Sequence, residues 1–378
     1  MSAPLLCRTP ACRVATALIA SASALTLTAC GTVDGIGADG GSASVKKGDD
    51  ITVGLLLPDR DTARFEDFDH PIIKKEVASL THGKGKVVYA NAEADPVKQS
   101  RQFRQMVARK VDIIVVDALD AKAVAPDVQK AKDAGIPVIA YDRLAQGPID
   151  AYVSHDNELV GEVQARAILE ALGSRAATSR IVMMNGDPAD PNTAKFKEGA
   201  LNELQNKVRI ARTYDTDKWS PQVAAANMTK AVRALGLGNI AAVYSANDGM
   251  AGAVIGALKK AGATTIPPVT GQDANLDAVQ RVVSGEQYMT VYKSFLDEAT
   301  QAAQMAVYKV QGRDIQFDAL TQDRVDSPTE KKIPASLVPV VALTKANIKD
   351  TVIADGVYTV KDICTPAFKP DCEAIGLR

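Results

Sequence analysis

Aromatic side chains are scarce in this chain. Phe, Trp and Tyr make up 4% of 378 residues, and there is one Trp, at position 219. Any aromatic face offered to a ligand therefore comes from a short list. Histidine is scarcer still: His70, His82 and His155 stand far apart, with no Cys at metal-ligand spacing. That excludes a zinc or haem enzyme and leaves no metal site to expect. Charge of one sign is also missing, since the formal net charge is −1. No basic surface argues for nucleic acid, and no acidic run marks a disordered tail. No phosphate loop and no Ser/His/Asp elbow is present, so neither a cofactor nor a catalytic residue is expected. What is there is ordinary for a soluble globular protein: 46% hydrophobic and 24% charged residues, in a chain long enough for two domains and a tail.

The first 29 residues read as a signal peptide outside the fold. Arg8 and Arg13 precede the apolar run ATALIASASALTLTA (15–29), too short and too rich in small residues for a membrane span. The run ends in Leu27-Thr28-Ala29-Cys30-Gly31, which resembles the lipobox of bacterial lipoproteins. The resemblance implies cleavage before Cys30 and acylation of its thiol, hence a membrane anchor; an ordinary signal peptide with an incidental Cys30 is the alternative. Residues 30–49 then read as the lipidated Cys followed by a Gly/Ser-rich tether that builds no core. Gly35 to Gly40 matches G-x-G-x-x-G, but no strand precedes it and no helix follows, so it is not a dinucleotide fingerprint. Cys364 and Cys372, in CTPAFKPDC, read in an exported chain as a local disulfide, with two free thiols as the alternative.

From Asp50 onward, short apolar runs alternate with amphipathic stretches, the pattern of parallel strands covered on both faces. Strands are predicted at 51–57, 86–90, 111–117, 136–141 and about 151–153, then at 180–185, 208–214, 240–246, 267–273 and 288–293. Helices are predicted near 70–80, 96–110, 120–134, 157–172, 193–206, 221–235, 249–261, 274–284 and 296–311. Residues 313–336 are polar and Pro-containing and read as irregular, before VPVVAL (338–343) forms a further strand. Two doubly wound α/β units with a return to the first make a two-lobed protein, the ligand lying between the C-terminal strand edges. Independent tandem domains fit the same pattern. The stretch between the units carries Asp142-Arg143 at such an edge, although the pair would serve equally as a surface ion pair.

Specific segments carry a resemblance. LLLPDRDTARF (55–65), PVIAYDRL (137–144), YVSHDNELVGE (152–162), GDPADPNTAKFKEG (186–199), DKWSP (217–221), SANDGMAGA (245–253), TGQDANLDAV (270–279), MTVYKS (289–294) and NIKDTVI (347–353) together resemble the periplasmic sugar-binding proteins of ABC importers. Among these they are most similar to the D-xylose-binding proteins. The resemblance implies a type I periplasmic binding protein fold: two Rossmann-like lobes, each a parallel sheet flanked by helices, joined by three hinge strands. Residues 50–154 with 293–335 would form the N-terminal lobe, and 155–292 with 336–378 the C-terminal lobe. It also implies a monomer that delivers a monosaccharide, D-xylose foremost, to an ABC permease from a lipid-anchored position outside the cytoplasm.

Carried over position by position, the family's ligand residues fall on Arg64 and Phe65, Asp142 and Arg143, Asp190 and Asn192, Trp219, Asn247, Asp273 and Lys293. Two departures stand out: Phe65 replaces a Trp, and Pro191 replaces the middle Asn of an Asp-Asn-Asn loop. The chemistry suits a sugar. Arg and Lys only donate, carboxylates only accept and Asn does both, so the set can satisfy a ring of hydroxyls while aromatic faces cover C–H faces. Each residue also has a plainer reading. Arg64 could be a loop charge, Phe65 core, Trp219 a helix staple, Asn247 and Asp273 helix-start residues, and Lys293 a solvated strand end. Three other functions compete. A sugar-responsive transcription regulator needs an N-terminal helix-turn-helix, where this sequence has a signal and spacer. An enzyme needs chemistry that is missing. A sugar sensor signalling to a membrane receptor keeps the same binding.

Overall fold

The computed structural model describes residues 47–62 and 64–378. Cys30 and the proposed signal lie outside the described residues, as does the tether up to residue 46. Among the described residues twelve strands are present: β1 (Thr52–Leu57), β2 (Lys86–Asn91), β3 (Ile113–Val116), β4 (Val138–Tyr141), β5 (Ala151–His155), β6 (Arg180–Met184), β7 (Arg209–Tyr214), β8 (Ala242–Ser245), β9 (Thr290–Lys293), β10 (Asp323–Val325), β11 (Ile333–Val338) and β12 (Val340–Leu343). Helices α1 (His70–Leu80), α2 (Pro96–Ala108), α3 (Ala125–Asp133), α4 (Asn157–Leu172), α5 (Pro191–Leu204), α6 (Pro221–Leu235), α7 (Asp248–Lys260), α8 (Leu276–Ser284), α9 (Phe295–Gln311) and α10 (Asp314–Leu320) fill the spaces between them.

The first sheet runs β10-β11-β5-β4-β3-β1-β2 and is parallel except for β10. Its strands are apolar on both faces because helices cover both. Leu55, Leu57, Val115 and Ile139 pack with Ile73 and Val77 of α1 and Ala302 and Ala306 of α9. Leu56, Ile114, Val116 and Val138 point the other way, onto Phe103 and Met106 of α2 and Val128 of α3. This period-2 split of one apolar run is what a buried parallel strand requires. The second lobe holds the parallel sheet β7-β6-β8, which single bridges at Val243–Val269 and Gln272–Val291 extend toward the antiparallel pair β9-β12.

Two expectations change. The segment 267–273 makes isolated bridges rather than a strand. Pro267 and Pro268 cannot donate, and Asp273 turns to φ +96, which ends any extended run. The stretch 313–336 is regular instead of irregular: it forms α10, β10 and β11. Pro334 hid β11, yet it faces only the three-residue edge strand, in register with Arg324. The chain passes between sheets after His155, after Lys293 and after Val338, so the crossings sit slightly later than 154, 292 and 335. The C-terminal segment packs through Ile363, Cys372 and Leu377 against Val279, Val282 and Tyr292 of the second lobe. A disulfide joins Cys364 and Cys372, with Cα atoms 5.9 Å apart.

Candidate functional site

The C-terminal ends of both sheets feed one small cavity. Arg64, Phe65, Asp142, Arg143, Asp190, Asn192, Trp219, Asn247, Asp273 and Lys293 all line it. So the structure brings together every cavity residue that the sequence suggested.

The first lobe supplies a charged floor. Arg64 opens a tight turn after β1 and is 1% exposed. Its Nε donates to Asp69 Oδ2 at 2.9 Å, its Nη1 to Asp142 Oδ2 at 2.8 Å, and its Nη2 to Tyr141 Oη at 3.1 Å and to Glu298. The Phe295 ring lies 4.3 Å below the guanidinium carbon. Phe65 is both things the sequence allowed, a core residue and a cavity wall. Asp142 takes φ +56 just after β4, which is unfavourable for a residue with a Cβ. Its carbonyl is fixed by Tyr152 Oη at 2.8 Å and Ser154 Oγ at 2.7 Å. Burial favours the neutral acid of Asp142, but Arg64, then Lys293 and Arg143, overcome it and hold the carboxyl at about 2. Burial pushes Asp69 up to about 6 and Glu298 up to about 8, against the pull of Arg64 in each case. Of the three carboxylates around this guanidinium, Asp142 is held most firmly in its ionised form and Glu298 least.

The second lobe supplies helix starts and loop corners. Asp190 caps α5 by accepting from Asn192 N at 2.8 Å, and Asn247 caps α7 by accepting from Met250 N at 2.9 Å. Capping uses one side-chain acceptor in each case and fixes the rotamer; the amide nitrogen of Asn247 is not used in its cap, whereas the second oxygen of Asp190 is already taken by Trp219 and Arg143. Trp219 sits at φ +55, its Nε1 donating to Asp190 Oδ2 at 3.0 Å. Its ring occupies space that only a glycine leaves, because a Cβ on Gly186 would stand 2.1 Å from Trp219 Cη2. Lys293, 4% exposed, pairs with Asp273 Oδ1 at 2.9 Å. The solvated strand-end reading of Lys293 is thereby replaced by a buried pair.

Several contacts cross between lobes, two of them at the cavity. Arg143 Nε lies 2.7 Å from Asp190 Oδ2, and Asn192 Nδ2 donates to Asp142 Oδ1 at 2.8 Å. The cleft is therefore closed in this structure. Asp117, behind Arg143 at 3.4 Å, is fully buried, and that burial pushes its carboxyl upward.

Thr62, Phe196 and Gln272 also line the cavity. All three lie inside sequence segments that carried the resemblance, so the same comparison could have found them. Phe196 meets Trp219 edge-on at 6.2 Å, and Gln272 Oε1 is buried without a protein partner, an acceptor left for a ligand. Glu298 had no such signal, since a Glu one turn into a helix reads as surface.

The sequence between residues 53 and 314 matches the model of the periplasmic binding protein domain. A D-xylose-binding periplasmic protein of Haemophilus influenzae is 32% identical over 320 residues, covering 83% of this chain and 92% of that one. A multiple sugar-binding periplasmic receptor of Rhizobium radiobacter is 30% identical, covering 81% and 90%. Among solved structures, an ABC transporter solute-binding protein of Clostridium phytofermentans with bound β-D-glucose superposes with a TM-score of 0.76 at 25% identity, covering 82% of this chain and 99% of that one. With that likeness sustained over most of each length, and two sheets meeting at one cavity, this chain belongs to the periplasmic binding protein family.

Proposed function

We propose that the protein captures a monosaccharide, D-xylose foremost, outside the cytoplasm and hands it to the permease of an ABC transporter. The observation that carries this reading is the lining of the cavity. Cationic donors, carboxylate acceptors and amide groups converge there with aromatic faces. No acid–base pair stands free for catalysis: Asp142, Asp190 and Asp273 each contact a cation. The H. influenzae relative, named for D-xylose, supports the pentose. The bound glucose of the C. phytofermentans protein marks a hexose as the competitor. Calorimetry with xylose, arabinose, ribose, glucose and galactose decides between them. Xylose should bind most tightly, because a 5-hydroxymethyl group must fit where xylose has a bare ring carbon. A hexose binding more tightly overturns the xylose assignment, and no heat from any sugar overturns the reading as a whole.

A lipid on Cys30 would hold the protein, as a monomer, at the membrane. Cys30→Ser should release it on cell fractionation; equal membrane retention refutes the anchor. The relative named as a receptor favours one second reading, in which the sugar-loaded protein signals to a membrane receptor. Adjacent permease and ATPase genes would support transport instead.

A further inference from the structure

We propose that Glu298 and Asp69 are positioning residues that lock Arg64 so that it offers the sugar a single N–H, leaving Arg143 as the arginine able to bridge two vicinal hydroxyls. This rests on the sugar-binding reading above and assigns a division of labour within that site.

A guanidinium has five N–H groups in a rigid fork. In Arg64 the Nε proton goes to Asp69, both Nη2 protons go to Tyr141 and Glu298, and one Nη1 proton goes to Asp142. One N–H, on Nη1, is left for the cavity that Arg64 lines. Arg143 is bound differently. Its Nε faces Asp190, one Nη1 proton reaches Ala118 O at a long 3.5 Å, and Nη2 has no protein partner among the described residues. A free edge of that kind matches two neighbouring hydroxyl oxygens.

Glu298 and Asp69 hold Arg64 from different elements. Asp69 ends the turn that Arg64 begins, whereas Glu298 comes from the first turn of α9, directly after the crossing at Ser294. The same turn supplies Phe295 beneath the guanidinium plane. Neither carboxylate lines the cavity, and both are fully buried. Arg64 is the cation within ion-pair distance of both carboxylates; His155 Nδ1 stands 3.6 Å from Glu298, and burial, then Lys293 and Arg64, drive that imidazole toward its neutral form. So the pincer serves Arg64. The high carboxyl of Glu298 means that a neutral acceptor suffices there, which makes Gln a faithful substitute.

Two readouts test this. The first needs no sugar: nitrogen–proton NMR of the Arg64 side chain, its signals identified by their loss in Arg64→Lys. In the sugar-free wild type the Nε proton and separate Nη protons should exchange slowly. Asp69→Asn should speed Nε exchange, and Glu298→Ala should merge the Nη2 signals by freeing rotation. The second is calorimetry with D-xylose and the four other sugars. Glu298→Ala should weaken the preferred sugar about tenfold or more, and Glu298→Gln should restore most of it. Arg64→Lys should add little on top of Glu298→Ala. Should the Ala variant fail to fold, Glu298→Met fills the space without an acceptor and takes its place. Unchanged Arg64 signals in both carboxylate variants overturn the assignment, as does a double variant whose affinity loss is the sum of the single losses. If wild type binds none of the sugars while the Arg64 signals respond as stated, the sugar reading fails and the lock on Arg64 stands.

Discussion

The two walls of the cleft hold their polar groups by different physics. On the first lobe, Arg64, Asp69, Asp142 and Glu298 form a buried web of charge-assisted bonds, each group oriented by another charge. On the second lobe, Asp190 and Asn247 are oriented by the backbone, as caps of α5 and α7, while Trp219 and Asp273 stand at strained corners with φ of +55 and +96. A buried charge left without its partner is strongly penalised, so the first wall is rigid but sensitive to any one deletion. A helix cap survives in the absence of ligand, so the second wall tolerates change at the cavity face as long as the backbone stays put. The two are joined where charge meets cap, at Arg143 and Asp190.

Cutting that junction should have the largest effect. Arg143→Ala removes the free guanidinium edge and the contact with Asp190, and should weaken sugar binding about a hundredfold, because hydrogen bonds to charged groups contribute about 1.5–3 kcal/mol each. Asp273→Ala, on the second wall, should cost about ten- to a hundredfold by the same reasoning. Asp277, 66% exposed and paired with Arg281 outside the cavity, should change affinity little when replaced by Ala. Calorimetry that gives equal affinities for all three variants would dissolve the distinction between the walls and the site with it.

A smaller effect should follow from crowding the second wall without touching a polar group. Gly186→Ala places a methyl where the Trp219 ring lies, so the ring must swing and its bond to Asp190 must break. Affinity should fall about tenfold, within the usual range for a single overpacked contact. The emission of Trp219, the one Trp in the chain, should shift in the sugar-free protein. An unshifted spectrum would place the ring elsewhere.

The smallest effect is in the pH dependence of stability, to which the first wall contributes through Glu298 and Asp69 and the second through Asp248, whose carboxyl burial raises to about 8. Folded Glu298 holds its proton up to about 8 and folded Asp69 up to about 6, above the ordinary carboxylate range. Below that ordinary range their contribution is present in full, and it is lost as pH rises toward the folded values, because the folded state then binds more protons than the unfolded one. Asp142 has the opposite sign: held at about 2, it stabilises above the ordinary carboxylate value and loses that contribution as pH falls through about 2. Thermal melts should therefore give a higher Tm at about pH 5 than at about pH 8.5, and Glu298→Gln should flatten the decline. A Tm that rises steadily to pH 8.5 in the wild type contradicts the burial of these acids.

By itself the sequence determined the alternation of strands and helices, and with it the placement of polar residues at strand ends. A period-2 apolar run bounded by turn residues has few other homes than a covered parallel strand. Asn247 comes two residues after β8 and Asp190 in the loop after β6 for that reason, and Asp142-Arg143 directly follows β4. Tertiary structure alone decided which groups meet. Arg64 and Glu298 are 234 positions apart, and nothing local to either marks the other as its partner. Gly186 is an ordinary loop glycine until the ring of Trp219 is packed over it. Strand β11 forms despite Pro334 because β5 offers it a neighbour on one side and the other side is a short edge. Local preference acts within a few residues, whereas burial of charge and packing of rings are settled only when distant segments share one desolvated space.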